Sequence, residues 1–192
     1  MKIEKITTNK GKIIQGPFII RPTIFQDNRG LFFESWNQSK FDETLGKAVR
    51  FCQDNHSLSD LGVIRGLHYQ KGESPQAKLV RCVSGSIFDV IVDIRKSSST
   101  FGEWVSVLLN SQNKSIIWIP SGFAHGFLSL EQNTEVVYKT SEYWINNEER
   151  SIKWDDVNLN IKWPLKEINI LKPKLSLRDT KAPSFKNADI FT

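Results

Sequence analysis

A chain of 192 residues with 39% hydrophobic and 24% charged residues has the length and composition to bury a core, which excludes a disordered chain. No apolar run approaches the length of a membrane span, and residues 1–14 lack the apolar segment of a signal peptide. The net charge of +5 comes from lysines and arginines scattered among acids, which favours local anion sites over a nucleic-acid surface.

Short apolar runs separated by Gly, Asn, Ser and Pro predict a succession of strands along the chain. They are predicted at 11–20, 29–36, 50–58, 61–70, 78–95 with a break at Gly85, 104–110, 115–120, 125–130 and 134–144. One helix is predicted at 37–47, with Asn37 or Ser39 as its N-cap and Gly46 as its end. The C-terminal part predicts a helical turn and a returning segment. This pattern indicates a single all-β domain over residues 1–192, a sandwich or jelly roll with few helices.

Two cysteines, Cys52 and Cys82, are too few for a disulfide framework. Because the chain carries no export signal, we expect both thiols to be reduced and the protein to be cytoplasmic.

His68 is one of three histidines and lies in the predicted strand LGVIRGLHYQ, between Arg65 and Lys78. Nearby cations favour a neutral imidazole, which is the form that a general base needs. A histidine hydrogen-bonded for structural reasons is the commoner case, so both interpretations stay open. Strict alternation along a strand places His68 and Arg65 on opposite faces. Gly66 would allow a ligand or another backbone to approach closely.

Other motifs are less specific. Position 70 is glutamine, so His68 has no His-x-His partner, and neither His56 nor His125 has the spacing of a metal ligand set. We therefore predict no metal site. His125 fits either a packing role at a strand start or a cavity mouth. No phosphate-binding glycine loop and no Ser or Cys nucleophile motif occurs.

Tyr138 in TEVVYKT and Asp179 in LSLRDTKAP are each, taken alone, more often structural than functional. Taken alone, a tyrosine in a strand is a core or interface residue. An isolated acid in a loop is most often a turn residue.

Eight stretches taken together resemble the dTDP-4-dehydrorhamnose 3,5-epimerases. They are DNRGLFFESW, FCQDNHS, VIRGLHYQ, AKLVRCVSGSIFDVIVDIR, WIPSGFAHGFLSL, VVYKT, SIKWDD and LSLRDTKAP, in order from about residue 15 to residue 183. The resemblance implies a cupin-type jelly roll with a peripheral tail at about 184–192. It also implies an enzyme without a cofactor that inverts C3 and C5 of a dTDP-4-keto sugar, and a homodimer with exchanged strands.

The resemblance assigns catalytic roles to four residues. His68 matches the base, Asp179 the acid that orients it, Lys78 the cation near the C4 oxygen, and Tyr138 the proton donor on the opposite face of the sugar. Substrate-binding positions are matched by Arg29, Glu34, Gln53, Asp54, Asn55, Arg65, His125, Trp144, Glu149 and Arg178. Among these, Arg29 and Glu34 are expected to reach into the neighbouring subunit's site.

Two positions depart from the common pattern of this family. Trp144 stands where many members have a tyrosine that stacks on thymine, and Arg178 stands where lysine is common. The alternatives are an epimerase that acts on C3 alone, an epimerase of another 4-keto sugar nucleotide, and a non-catalytic carbohydrate-binding jelly roll.

Overall fold

The computed structural model describes residues 2–192. Its strands are β1 (Lys2–Thr7), β2 (Ile13–Arg21), β3 (Ile24–Asp27), β4 (Gly30–Phe33), β5 (Gln53–Ser59), β6 (Ile64–Gln70), β7 (Lys78–Ser84), β8 (Ser86–Asp93), β9 (Trp104–Asn110), β10 (Ile116–Ile119), β11 (Phe123–Ser129), β12 (Thr134–Thr140) and β13 (Glu149–Ser151). The helices are α1 (Gln38–Leu45) and α2 (Leu177–Thr180), and a 3-10 turn covers Phe185–Asn187. No helix in residues 2–192 is long and apolar enough to cross a membrane.

Two antiparallel sheets form a sandwich. The six-stranded sheet has the order β1-β2-β10-β7-β12-β5, and the five-stranded sheet has the order β13-β6-β11-β8-β9. Strands adjacent in each sheet are mostly distant in the chain, which is the topology of a jelly roll. The all-β, cupin-type jelly-roll prediction is confirmed. The predicted break at Gly85 is also confirmed, because its φ of +72° ends β7 and directs β8 into the other sheet.

Three apolar clusters hold these layers together. The central one lies between the two sheets and includes Val80, Ile91, Ile117 and Val136, each fully buried. A second cluster covers the outer face of the five-stranded sheet, where residues 152–191 pack on it. Within residues 184–192, Ile190 is buried in this second cluster. The sandwich therefore has apolar contacts on both faces of its five-stranded sheet.

The helix α1 covers the outer face of the six-stranded sheet. Of the two predicted N-caps, Asn37 is the observed one, because its side chain accepts a hydrogen bond from the backbone N–H of Lys40 at 3.1 Å. Gly46 ends the helix in the left-handed conformation, as predicted. Phe41 is 1% exposed and meets the Trp118 ring edge to face at 5.1 Å between ring centroids.

Several predicted strand boundaries are wrong. Residues 29–36 form only the short strand β4, which pairs with the unpredicted β3 in a separate hairpin. The turn between them is closed by Asp27, whose carboxylate accepts the backbone N–H of Arg29 at 2.9 Å. The strand predicted at 134–144 ends at Thr140, and the next residue bonds instead to the backbone carbonyl of Ala77. The pattern also gave no signal for β1 or β13, which are edge strands.

Candidate active site

A cavity of about 450 Å³ opens between the two sheets. It brings together the four residues to which catalytic roles were assigned, along with two of the assigned substrate contacts. Its lining is Ser57, Val63, Ile64, Arg65, His68, Lys78, His125, Phe127, Tyr138, Lys174, Leu175, Ser176 and Asp179. The five-stranded sheet supplies the two histidines, and the six-stranded sheet supplies the lysine and the tyrosine.

Gly66 shapes the wall that carries His68. Its φ is +136°, and a Cβ added there would lie 2.4 Å from the Cα of Gly126 on β11, so the predicted close backbone approach is confirmed. In the pairing of these strands His68 lies opposite His125, and Arg65 lies opposite Phe127. The two pairs are three residues apart along β6 but only two residues apart along β11. This bulge inserts one extra residue into β6. The prediction that Arg65 and His68 face opposite ways is therefore wrong, and both line the cavity.

His68 and Asp179 form a hydrogen-bonded pair. The His68 Nε2 lies 2.5 Å from the Asp179 Oδ1, and the side chains are 25% and 3% exposed. Asp179 lies in α2. Ser176 caps this helix, because its side-chain hydroxyl accepts a hydrogen bond from the backbone N–H of Asp179 at 3.1 Å. Burial acts to raise the pKa of Asp179, but hydrogen bonds, led by the one from His68, outweigh it and the pKa is lowered. The carboxylate thus stays ionised and fixes Nε2 of the ring as the N–H donor, which leaves Nδ1 as the acceptor.

Lys78 and Tyr138 lie on the opposite wall, on the paired strands β7 and β12. The Lys78 Nζ is 6.0 Å from the centre of the Tyr138 ring. Burial lowers the pKa of Lys78 to about 8, and burial raises the pKa of Tyr138. At neutral pH the wall therefore presents an ammonium group and a protonated phenol.

His125 forms a second buried pair with Asp89, a residue that the sequence patterns did not single out. The His125 Nε2 lies 2.7 Å from the Asp89 Oδ2. A signal for this pair was present, because Asp89 is an acid inside the apolar strand SIFDVIVD, and a carboxylate buried there needs a partner. Within residues 2–192, the Asp89 Oδ1 and the Ser57 Oγ are the buried side-chain atoms without a hydrogen-bond partner.

The remaining charges at the cavity are cationic. Arg65 is held by Ser59 Oγ and by the backbone carbonyl of Leu58, each at 3.0 Å. Lys174, which sequence analysis did not identify, lines the rim and pairs with Asp60 at 3.0 Å. With Lys78 these side chains make the cavity suited to an anionic ligand, because Asp179 is its only lining acid among the described residues.

Five of the assigned substrate contacts form a cluster beside the cavity, namely Gln53, Asn55, Trp144, Glu149 and Arg178. Glu149 Oε2 accepts a hydrogen bond from the Trp144 indole N–H at 2.6 Å and is also paired with Arg178. Trp144 is 52% exposed, and its backbone N–H donates to the Gln53 side chain at 3.0 Å. The Gln53 amide in turn donates to Asn55 at 2.8 Å. An exposed indole with a fixed N–H is a ready stacking surface.

The other assigned contacts lie elsewhere in the chain. Asp54 points away from the His68 cavity, pairs with Lys139 and lines a neighbouring cavity of about 370 Å³. Arg29 is at the tip of the β3–β4 hairpin, where it pairs with Asp27. Glu34 follows β4 and pairs with Lys40. The fold of one chain therefore does not bring these three residues to the cavity.

No group of three or more His, Cys, Asp or Glu side chains within residues 2–192 is arranged to hold a metal ion. The two histidines at the cavity are each paired with a single carboxylate instead.

Comparison with known proteins gives one consistent answer. The sequence model of the dTDP-4-dehydrorhamnose 3,5-epimerases matches residues 12–187. The enzyme of that name from Salmonella typhimurium is 51% identical over 165 residues, which are 86% of this chain and 88% of the relative.

Solved structures agree with this match. An rmlC epimerase from Mycobacterium tuberculosis superposes with a TM-score of 0.90 at 43% identity, covering 97% of this chain and 89% of the other. An epimerase from Legionella pneumophila in complex with dTDP-4-keto-L-rhamnose gives a TM-score of 0.87 at 42% identity, covering 97% and 94%. The chain therefore belongs to the dTDP-4-dehydrorhamnose 3,5-epimerase family of isomerases.

Proposed function

We propose that the protein converts dTDP-4-dehydro-6-deoxy-D-glucose into dTDP-4-dehydro-L-rhamnose, inverting C3 and C5, in the cytoplasmic supply of dTDP-rhamnose for surface polysaccharide. The observation that carries the proposal is the arrangement of the cavity walls. A histidine–carboxylate pair lies on one sheet, and a protonated tyrosine and a lysine lie on the other. A sugar ring between them would have a base on one face and an acid on the other.

The chemistry needs only proton transfers. The C4 ketone makes the hydrogens on C3 and C5 acidic. When the free Nδ1 of His68 takes such a proton, the C–H electrons form an enolate and negative charge moves to the ketone oxygen. The ammonium of Lys78 stabilises this oxygen, and the phenol of Tyr138 returns a proton from the opposite side. The carbon is inverted without any change in oxidation state.

Each carboxylate and cation has a part in this scheme. Asp179 stabilises the imidazolium that forms on His68, since it is already hydrogen-bonded to the other ring nitrogen. Arg65, His125 and Lys174 would hold the sugar hydroxyls and the diphosphate, for which several donors and one arginine are well suited. The cluster around Trp144 would receive the thymine base by stacking.

The same proposal includes a homodimer, because the β3–β4 hairpin pairs with no other described strand of its chain. Phe25 and Phe32 oppose each other on the hairpin and are 61% and 70% exposed. The outer edge of β5 is unpaired among the described residues, so it can accept a strand from a second copy. Exchange of hairpins would bring Arg29 and Glu34 into the neighbour's site, as the resemblance implies.

The test is proton NMR of dTDP-4-dehydro-6-deoxy-D-glucose incubated with the enzyme in heavy water. We expect the H3 and H5 signals both to disappear, and a coupled rhamnose reductase to yield dTDP-L-rhamnose. Loss of H3 alone would show an enzyme that acts on C3 only. Exchange at neither carbon would contradict the proposal and leave a binding protein or an enzyme for another sugar nucleotide.

A further inference from the structure

Gln70 has no part in the mechanism above, and in the sequence it is notable because it breaks a His-x-His pattern. It is the last residue of β6, two positions after His68. Gln70 is 2% exposed, so its amide is shielded from bulk water. A buried amide needs partners for its two N–H groups and its oxygen. Its hydrogen-bond partners therefore show what this side chain holds in place.

The partners of Gln70 are backbone groups in two loops, one between β6 and β7 and one between β12 and β13. The amide N–H groups donate to the carbonyl of Ser74 at 2.6 Å and to the carbonyl of Tyr143 at 2.9 Å. The amide oxygen accepts the backbone N–H of Ile145 at 2.9 Å. Turning the amide over would set its oxygen against two carbonyls, so this network fixes its orientation. One side chain thus joins the end of β6 to both loops.

The bonds to the second loop lie on either side of Trp144, since Tyr143 precedes it and Ile145 follows it. The backbone N–H of Trp144 itself donates to the Gln53 side chain at 3.0 Å. Two glutamines, from β6 and β5, therefore hold the backbone of three consecutive residues. Trp144 is 52% exposed, so core packing contributes little to its position. The hydrogen bonds to its backbone therefore set where the loop presents the indole.

We propose that Gln70 is a positioning residue for the nucleotide end of the substrate, because it holds Trp144 ready for the thymine base before the nucleotide binds. This inference rests on the proposed function. A loop that must become ordered on binding loses affinity, whereas a loop already held in its bound conformation keeps it. Gln70 does not line the cavity of His68 and Tyr138, so it acts through Trp144 and not on the sugar ring. Its loss should therefore weaken nucleotide binding and leave the proton transfers unchanged.

The experiment is titration calorimetry with dTDP on the unmodified enzyme, Gln70→Met, Trp144→Ala and the variant that carries both changes. Methionine has a similar size but forms none of the three hydrogen bonds. We expect Gln70→Met to weaken dTDP binding and raise KM by about 10-fold, while kcat changes by less than about 2-fold. In the Trp144→Ala background the same change should have no further effect on dTDP binding, because Gln70 acts through Trp144. The fitted stoichiometry reports the folded fraction of each variant.

Gln76→Met is the matched control. The Gln76 amide also joins the two loops, by donating to the Glu142 carbonyl at 2.8 Å, but this bond is exposed and does not flank Trp144. Its dTDP affinity should equal that of the unmodified enzyme. Should Gln70→Met fail to fold, Gln70→Glu replaces it, because a carboxylate still accepts the Ile145 N–H but donates to neither carbonyl.

Losses that add up in the double variant, or an unchanged dTDP affinity when Gln70 is replaced, would overturn the inference and leave the proposed function intact. A loss of the same size in Gln76→Met would also overturn it, because any weakening of the two loops would then have the same effect. An unmodified protein that does not bind dTDP would overturn both the inference and the proposed function.

Discussion

His68 has one ring nitrogen engaged with Asp179 and the other free toward the cavity, and this division gives the histidine its chemistry. The carboxylate comes from α2, which lies 111 residues further along the chain.

Replacing His68 by asparagine should abolish turnover while leaving dTDP binding intact, because the change removes proton transfer and adds no charge. A fall of about 100-fold to 10,000-fold in product formation is expected. A coupled reductase assay measures turnover, and titration calorimetry with dTDP measures binding. Turnover at the rate of the unmodified enzyme would rule out His68 as a base.

Lys78 should set the alkaline limit of activity. Its pKa is lowered to about 8 by burial, and in the proposed mechanism only the ammonium form would stabilise the enolate oxygen. We therefore expect kcat/KM, which reports the free enzyme, to be constant well below pH 8 and to fall as the pH rises through that value.

A pH profile of kcat/KM between pH 6 and pH 10 checks this prediction. Lys78→Arg is the informative variant, because guanidinium stays charged over the whole range and the alkaline fall should vanish or move upward. Burial raises the pKa of Tyr138, which moves the titration of its phenol further above pH 8. A profile that stays flat above pH 9 in the unmodified enzyme would contradict the assignment.

Sequence patterns identified the histidine and lysine of the site better than the carboxylates that hydrogen-bond to the two histidines. His68 and Lys78 stand out in one stretch, but nothing local joins His68 to Asp179, and only the family resemblance supplied that pairing. Asp89 was missed because it lies 36 residues before His125 in the chain and meets it only through the pairing of β8 with β11. Partners of this kind depend on sheet register, which residue types alone do not specify.

At the scale of elements, β6 and β11 approach through two glycines, Gly66 and Gly126. Strand alternation predicted the face of His68 relative to Arg65 and failed, because one extra residue in β6 resets the alternation. The caps of α1 were predictable, by contrast, since Asn37 and Gly46 act through their own local chemistry.

Gly66→Ala should destabilise the protein by about 3 kcal/mol or more and lower activity even where the chain still folds. The new methyl group would overlap the Gly126 backbone, and the φ of +136° is strained for any residue with a side chain. Thermal and urea denaturation measure the loss. Gly11→Ala is the control, because its φ is also positive, at +84°, while a Cβ there meets nothing within 4 Å.

The Gly11→Ala variant should lose about 1 kcal/mol of the free energy of unfolding, because the positive φ disfavours alanine but the added methyl group meets no neighbour. Equal losses in the two variants would mean that the contact between β6 and β11 is unimportant for the fold.

At the scale of the whole molecule, the β3–β4 hairpin is the least explained part of a single chain. It exposes Phe25, Leu31 and Phe32, which a chain acting alone has no reason to present to water. The pattern DNRGLFFESW indicated a strand but not its isolation, because the missing neighbour would come from another copy.

Replacing both Phe25 and Phe32 by serine should weaken the proposed dimer by about 100-fold or more, since four phenylalanines lose their burial. KM for the dTDP sugar should rise with it, because Arg29 and Glu34 would no longer reach the neighbour's site. Sedimentation at several protein concentrations measures the association. Val157→Ser with Leu171→Ser is the control, as both residues are exposed and lie outside the hairpin. An unmodified protein that sediments as a monomer would exclude the exchange.

The separation of 111 residues between His68 and Asp179 also affects the order in which the structure forms during folding. Closing so long a loop is slow, and the sheets themselves join strands that are distant in the chain. Local hairpins such as β8–β9 can form and break many times before α2 docks beside β6. On dilution from urea, the circular dichroism of strands should therefore recover ahead of catalysis, and newly made chains would pass through a structured but inactive stage.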